Sequence, residues 1–333
     1  MPIRFLTSMC LGLSLAGGAL ADAPKVATDI APVQSLVARV MQGVGAPEVI
    51  VRPGASPHGY AMRPSEAVAL EEADLVFWMG EALTPWLEGA IGTLAGEAHV
   101  VELLGVAGSR VLPFREGVTF DVHGHDAGGH EETGHEETGH EGHGDQADSD
   151  ADAPGDGHAH DGADPHAWLD PANARVWLGL IAGELAEHDP ANAALYAANA
   201  EAAEAELVAL TEEIAAQLAP VQGKPFLVSH DAYQYFETAF DIPAAGAIAL
   251  SDAAAPGPAR IAALREMAEM RSAVCVFSEP QFDPKLIETV FGDVAVHGVI
   301  DPMGAQLPTG PGHYPQMLRD MAGAFVGCLG GEG

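Results

Sequence analysis

Short apolar runs alternate with helical patterns of hydrophobic residues in two separate blocks of the chain. The first block predicts strands at residues 26–30, 49–52, 75–79 and 99–103, and helices at 32–44, 65–72 and 85–94. The second predicts strands at residues 226–229, 244–250, 274–277 and 294–300, and helices at 233–240, 259–271, 284–291 and 314–328. Strands that alternate with helices form parallel sheets. We therefore predict an α/β fold of two lobes, each with a parallel sheet flanked by helices.

The segment between the two blocks, residues 192–218, is rich in Ala, Glu and Leu and contains neither Gly nor Pro. It is predicted to be one long, rigid helix that spans on the order of 40 Å and joins the lobes. The expected division is an N-terminal lobe at 22–190, a connecting helix at 191–219 and a C-terminal lobe at 220–333. Open α/β sheets bind ligands at the carboxyl ends of their strands, so a ligand cleft is expected between the lobes.

Residues 121–164 break this pattern. They contain no Lys or Arg and alternate histidine with carboxylate around a short repeat, Gly-His-Glu-Glu-Thr. The segment has almost no large apolar side chains, so it is predicted to be a disordered insert within the N-terminal lobe. Imidazole beside carboxylate is typical of zinc, copper or nickel binding, which favours an auxiliary metal collector over a merely solubilising linker. The auxiliary ligands are His123, His125, His130, His135, His140, His143, His158 and His160.

The chain has 48 acidic and 14 basic residues, a net charge of −34. A chain this acidic, without a basic stripe, is repelled by phosphate, so nucleic acid and anionic membranes are poor partners. At the N-terminus, Arg4 precedes an apolar run that ends in Ala19-Leu20-Ala21. This is the pattern of a signal peptide, expected to cover residues 1–21 and to direct the chain to the periplasm.

Cys275 and Cys328 remain after removal of such a leader. When a chain in an oxidising compartment has only two cysteines, they usually form a disulfide. A disulfide is therefore predicted, with two unrelated buried thiols as the alternative. On the chain-entropy model this bond would stabilise the C-terminal half by roughly 4 kcal/mol.

Three histidines outside the insert follow predicted strands or turns. His58 ends a loop with two prolines and a glycine, His166 stands in a stiff segment before a helix, and His230 follows the strand at 226–229. Any one of them alone would be interpreted as a structural histidine. Three at such positions, beside a histidine-rich insert, indicate a metal site in the cleft. The neighbouring Asp164 and Asp231 are expected either to orient imidazoles or to cap helices, and Trp168 and Tyr233 to pack around the site.

These segments resemble the periplasmic metal-binding subunits of zinc and manganese ABC importers, the cluster A-I metal-binding proteins, and specifically their zinc members. The resemblance covers the whole mature chain. It rests on residues 53–58 and 63–65, on 164–171, on 229–236, and on the shorter matches at 279–282 and 301–304. It implies two α/β lobes joined by a long helix, with Zn²⁺ between them on His58, His166 and His230.

The third histidine of this set bears on the choice of metal. Manganese members place a carboxylate where His230 stands, whereas three neutral imidazoles favour zinc. Pro57 has no coordinating side chain, so the fourth ligand is expected to be Asp301 or a water molecule. The remaining histidines, at positions 99, 188, 297 and 313, are interpreted as surface or structural residues.

The resemblance implies high-affinity capture of zinc by a monomer, and delivery to an ABC-type permease with a separate ATPase subunit. The sequence contains no phosphate-binding Gly-x-x-x-x-Gly-Lys-Ser/Thr loop of its own. A periplasmic zinc store or chaperone is the alternative. A zinc hydrolase is a weaker one, because three histidines and a water also make a catalytic site.

Overall fold

The computed structural model describes residues 23–115, 120, 162–249, 257–281 and 285–331. The predicted signal peptide and the eight histidines of the insert lie outside these ranges. Residues 162–164, which were predicted to belong to the insert, are part of the fold: Ala163 pairs with Pro113, and Asp164 is buried. The insert as predicted therefore extends too far at its C-terminal end.

The N-terminal lobe contains four strands and three helices before the insert. The strands are β1 (Val26–Thr28), β2 (Glu48–Val49), β3 (Leu75–Trp78) and β4 (His99–Glu102), and the helices are α1 (Ala31–Val40), α2 (Pro64–Glu71) and α3 (Pro85–Leu94). The strands form one parallel sheet in the order β2-β1-β3-β4. Each helix has a proline near its start. Proline suits this position because its φ is already helical and the first backbone N–H groups of a helix have no partner within the helix.

Two helices follow the insert, α4 (Pro171–His188) and α5 (Ala193–Leu218). The sequence indicated α4 only as a helix after His166; its N-cap is Asp170, whose Oδ1 accepts a hydrogen bond from Ala172 N at 2.8 Å. The buried residues of α5 recur every three or four positions, from Tyr196 to Leu218, and make one apolar stripe. The predicted long helix is thus confirmed at 26 residues.

The C-terminal lobe repeats the same plan. Its strands are β5 (Phe226–His230), β6 (Gly246–Ala249), β7 (Cys275–Ser278) and β8 (Val296–Val299), and its helices are α6 (Gln234–Phe240), α7 (Pro258–Arg271), α8 (Lys285–Phe291) and α9 (His313–Leu329). The sheet is parallel, in the order β6-β5-β7-β8. The predicted two-lobed α/β class is therefore confirmed. The predicted disulfide is also present: Cys275 on β7 is bonded to Cys328 on α9.

The two lobes share one hydrophobic core. A single cluster of buried side chains includes Phe77 of the first sheet, Phe226 of the second sheet, and Leu207 of the connecting helix. Side chains that pack across the boundary resist opening, because any separation would expose apolar surface to water. In the part of the chain that the structure describes, no helix has the length and apolar character needed to cross a membrane.

Candidate metal centre

The three histidines singled out by the sequence lie together between the lobes. One ring nitrogen from each of His58, His166 and His230 lies within 4.8 Å of the other two. The ring centroids are 5.0 Å apart for His166 and His230, 5.4 Å for His58 and His166, and 5.7 Å for His58 and His230. Among the residues that the structure describes, this is the group of His, Cys, Asp or Glu whose ligand atoms already lie close enough to share one metal ion.

His58 belongs to the loop between β2 and α2. The loop is anchored beside the histidine by Trp86, whose Nε1 donates to the carbonyl oxygen of Pro57 at 2.7 Å. Further along, the hydroxyl of Tyr60 accepts from Arg52 Nε and donates to Glu66 Oε1, both at 2.8 Å. These side-chain hydrogen bonds stabilise the loop, which lies outside the helices and strands. His58 is the most accessible of the three histidines, since the other two are buried.

His166 is oriented by Asp164, two residues before it. The ring Nδ1–H donates to Asp164 Oδ1 at 2.7 Å, and the backbone N–H of His166 donates to the same oxygen at 3.0 Å. Burial raises the pKa of the Asp164 carboxyl to about 7. A carboxylate on Nδ1 fixes the tautomer that presents Nε2 to a metal and increases the basicity of the ring. Asp164 therefore orients an imidazole, which was one of the two roles expected for it.

Trp168 packs against the other side of this turn. Its ring centroid is 5.3 Å from that of His166, and its Nε1 donates to the carbonyl oxygen of Pro302 at 2.9 Å. Both His166 and Trp168 are almost fully buried. The tryptophan thus gives the centre an apolar wall and ties the His166 turn to the C-terminal lobe.

His230 is the last residue of β5, and Glu279 follows β7, its neighbour in the sheet. The His230 Nδ1–H donates to Glu279 Oε1 at 3.1 Å, and Gln281 Nε2 donates to Glu279 Oε2 at 2.6 Å. In the order β6-β5-β7-β8, strands β5 and β7 flank the point where the chain reverses its direction across the sheet, the usual ligand position in such sheets. Tyr233 is buried close by; burial first, and then the charge of Glu279, raises its pKa.

No role was predicted for Glu279 from the sequence. A signal for it was present, because a polar residue directly after a buried parallel strand lies at the same sheet edge as His230. What the sequence did not show was that β5 and β7 are adjacent although a third strand lies between them in the chain.

Asp301 was expected as a fourth ligand. It follows β8 and is not one of the three grouped residues. Its Oδ1 accepts from the backbone N–H of Met303 at 3.0 Å and its Oδ2 from that of Ala305 at 2.6 Å. Burial raises the pKa of this carboxyl. These bonds, and a further backbone hydrogen bond from Gly304, hold the carboxylate in a fixed turn.

Asp231, the residue after His230, forms part of a buried ion cluster with Arg115 and Glu237. Arg115 Nε donates to Asp231 Oδ1 at 3.0 Å, and its Nη1 donates to Glu237 Oε2 at 2.7 Å. The guanidinium also lies over the ring of Phe120, 3.8 Å from its centroid. Asp231 thus takes neither of the two roles expected for it, because it pairs with an arginine. Sequence patterns gave no indication of this arginine.

The chemistry of the centre follows from its donors. Three imidazoles, two of them held by carboxylates through Nδ1, make a neutral nitrogen ligand set that suits a borderline-soft cation such as zinc. Hard cations such as Mg²⁺ and Ca²⁺ prefer oxygen ligands. His313, in contrast, has a structural role, since its two ring nitrogens bond the carbonyl oxygens of Pro308 and Met303.

Comparison with known proteins gives the family. Residues 26–328 match the family described as "Zinc-uptake complex component A periplasmic" (ZnuA). The chain is 47% identical over 326 residues to the high-affinity zinc uptake system protein ZnuA of Brucella abortus, covering 98% of this chain and 96% of that protein. It is 42% identical over 331 residues to the protein of the same name from Paracoccus denitrificans, covering 98% and 99% of the two chains.

Solved structures share the fold. A ZnuA crystal structure superposes with a TM-score of 0.69 at 23% identity, covering 92% of this chain and all of that one. The periplasmic zinc binding protein TroA from Treponema pallidum gives a TM-score of 0.71 at 18% identity, covering 92% and 99%. A ZnuA deletion mutant with zinc bound gives a TM-score of 0.69 at 23% identity, covering 92% and 98%.

The relatives are named for zinc uptake, a binding role without catalysis, and their likeness extends over nearly the whole chain. The chain belongs to the ZnuA family of periplasmic zinc-uptake components.

Proposed function

We propose that this chain captures zinc in the periplasm on His58, His166 and His230 and delivers it to an ABC-type permease powered by a separate ATPase. The observation that carries this proposal is the grouping of the three imidazoles within 4.8 Å between two lobes, with carboxylates on two of their Nδ1 atoms. Zinc is the cargo that the family's name gives. The division of the chain at residues 190 and 219 and the monomeric state remain predictions.

Delivery is tested by reconstitution. The zinc-loaded chain is added to the purified permease and ATPase in vesicles, and zinc uptake and ATP hydrolysis are measured. An importer subunit stimulates both in proportion to its concentration. A periplasmic store or chaperone, the alternative, would bind zinc equally well and stimulate neither, so that result would refute the transport half of the proposal and leave the capture half intact.

We expect Asp301 to occupy the fourth position, because a carboxylate would partly neutralise the dication held by neutral imidazoles. Asp301→Ala should then retain zinc with reduced affinity, and water should replace the carboxylate. The alanine also removes the acceptor for Met303 and Ala305, so Asp301→Asn is the matched variant that keeps one oxygen. A zinc-bound wild-type structure with water in the fourth position would contradict the assignment.

The histidine-rich insert is proposed as an auxiliary collector that binds zinc more weakly and passes it to the cleft. Deleting residues 121–160 should lower the zinc stoichiometry and leave one tight site, because the three cleft histidines lie on the folded part of the chain. A full-length variant with the eight insert histidines changed to glutamine is the matched control for chain length. Equilibrium dialysis measures the stoichiometry, and loss of the tight site in either variant would place the insert within the main centre.

Zinc affinity should fall as the pH decreases from about 7 to 6. Imidazole must be neutral to bind zinc, and its ordinary pKa is about 6.5. Asp164 acts in the same direction: its pKa is raised by burial to about 7, so below that value it becomes protonated and is a poorer acceptor for the His166 Nδ1–H. Competition titrations at a series of pH values measure the effect, and an affinity independent of pH between 6 and 8 would contradict it.

A further inference from the structure

Two exposed histidines lie beside one carboxylate on the surface of the N-terminal lobe, away from the cleft. His99 begins β4, and His188 ends α4 one turn after Glu184. The ring centroids of the two histidines are 5.7 Å apart, the separation also found between His58 and His230 in the cleft. His99 Nε2 lies 3.0 Å from Glu184 Oε2. We infer that His99, Glu184 and His188 form a second, exposed zinc site.

In the structure, His188 is bonded to its own helix, because its Nδ1–H donates to the carbonyl oxygen of Glu184 at 3.0 Å. Two ligand atoms that share a tetrahedral zinc ion are about 3.4 Å apart, given bond lengths of about 2.0 to 2.1 Å. His99 Nε2 and Glu184 Oε2 are already near that separation. Rotation of the exposed His188 side chain completes the set, and it exchanges the bond to the Glu184 carbonyl for a bond to the metal.

The position on the helix also favours a cation. Glu184 and His188 are four residues apart and therefore project from the same face of α4, the spacing by which helices supply pairs of zinc ligands. His188 is the last residue of this 18-residue helix and Glu184 lies one turn before it, near the carbonyl end of the helix dipole, which attracts positive charge. A divalent ion there would meet a carboxylate and a favourable dipole together.

An ordinary surface ion pair explains less of this arrangement. It would account for the contact between His99 and Glu184, whose side chains are 51% and 21% exposed, respectively. It does not use the second imidazole, whose ring centroid is 5.7 Å from that of His99. Two neutral imidazoles and one carboxylate are instead the ligands of a zinc ion whose fourth position is open to water. Exposure makes this site weaker than the buried cleft.

The experiment must locate zinc without relying on total stoichiometry, because the insert carries eight further histidines. Crystals of the full chain soaked in zinc chloride should show an anomalous peak at the zinc edge, within bonding distance of His99 Nε2 and His188 Nε2. In solution, zinc should protect both histidines from diethyl pyrocarbonate at the same zinc concentration, as read by peptide mass spectrometry.

Variants separate a shared site from independent contacts. His99→Ala should abolish zinc protection of His188, and Glu184→Gln should raise the zinc concentration needed for protection by about tenfold or more, the range seen when a metal site loses a supporting group. Glu187→Gln, at an exposed position on the same helix, should change nothing. Protection of His188 that persists in His99→Ala, or the absence of an anomalous peak between the two rings, would overturn the assignment.

Discussion

Replacement of His230 with alanine should weaken zinc binding in the cleft by at least about a hundredfold, since losing a group that merely orients a ligand already costs about 10- to 100-fold. The variant removes one of three nitrogen ligands and leaves Glu279, which is almost fully buried, without the imidazole that donates to it. Competition against a chromophoric chelator measures the tight site separately from the weaker binding of the insert.

His297→Ala is the matched control for this experiment. His297 lies on β8 in the same lobe, bonds Ser278 Oγ through Nε2 at 2.7 Å, and stands outside the cleft group. Its replacement should leave zinc affinity unchanged. Glu279→Gln should give an intermediate loss, because the ligand stays while its orienting carboxylate becomes a neutral amide. Unchanged tight binding in His230→Ala, with thermal unfolding like that of the wild type, would show that the cleft group is not the zinc site.

Replacement of Arg115 with methionine should lower the free energy of unfolding by about 3 to 5 kcal/mol, the cost typical of removing one partner from a buried ion pair. Arg115 is 15% exposed, and the carboxylates that it pairs with, Asp231 and Glu237, are only 3% and 4% exposed. Methionine fills a similar volume but leaves both carboxylates buried without a counter-charge. Urea unfolding of the zinc-free chain at pH 7 measures the loss.

The loss should shrink as the pH falls. Burial raises the pKa values of both Asp231 and Glu237, and Arg115 opposes that rise. Without the arginine, each folded-state pKa lies further above its unfolded value of about 4. A carboxyl with a raised folded-state pKa favours the folded state when it is protonated. This contribution is fully present below the unfolded pKa and is lost as the pH rises through the folded pKa. The free energy of unfolding of the variant should therefore approach that of the wild type near pH 4.

Arg319→Met provides the comparison for an exposed pair. Arg319 bonds Glu213 at 3.0 Å, but their side chains are 36% and 51% exposed, so water screens the charges. Its loss should cost about 0 to 1 kcal/mol. Equal effects of the two substitutions would mean that the buried Arg115 cluster contributes no more to stability than a surface ion pair.

Local sequence patterns determined the elements of this fold. Alternation of apolar runs and helical patterns identified all eight strands that the structure describes, although several bounds moved, as in β2, which was predicted at residues 49–52 and is Glu48–Val49. These features are encoded by neighbouring residues through the two- and 3.6-residue periods of strands and helices. The disulfide was predictable for a different reason: the two cysteines outside the predicted signal peptide allow one pairing.

The partners of the site residues could be predicted only where they are near in sequence. Asp164, two residues before His166, was expected either to orient an imidazole or to cap a helix, and the structure shows the contact with the His166 ring. Glu279 is 49 residues from His230, and the two meet because β7 pairs with β5. Arg115 is 116 residues from Asp231, and nothing local to either residue indicates the pair.

The sequence by itself therefore determined the secondary structure, the family and the three histidines, because short-range periodicity and motif spacing specify them. Tertiary structure alone decided that Glu279 supports His230, and it brought His99 to Glu184 and His188. Sheet order and helix packing set which distant residues become neighbours, and these depend on the burial of apolar faces by the whole chain. A pattern along one segment cannot carry that information.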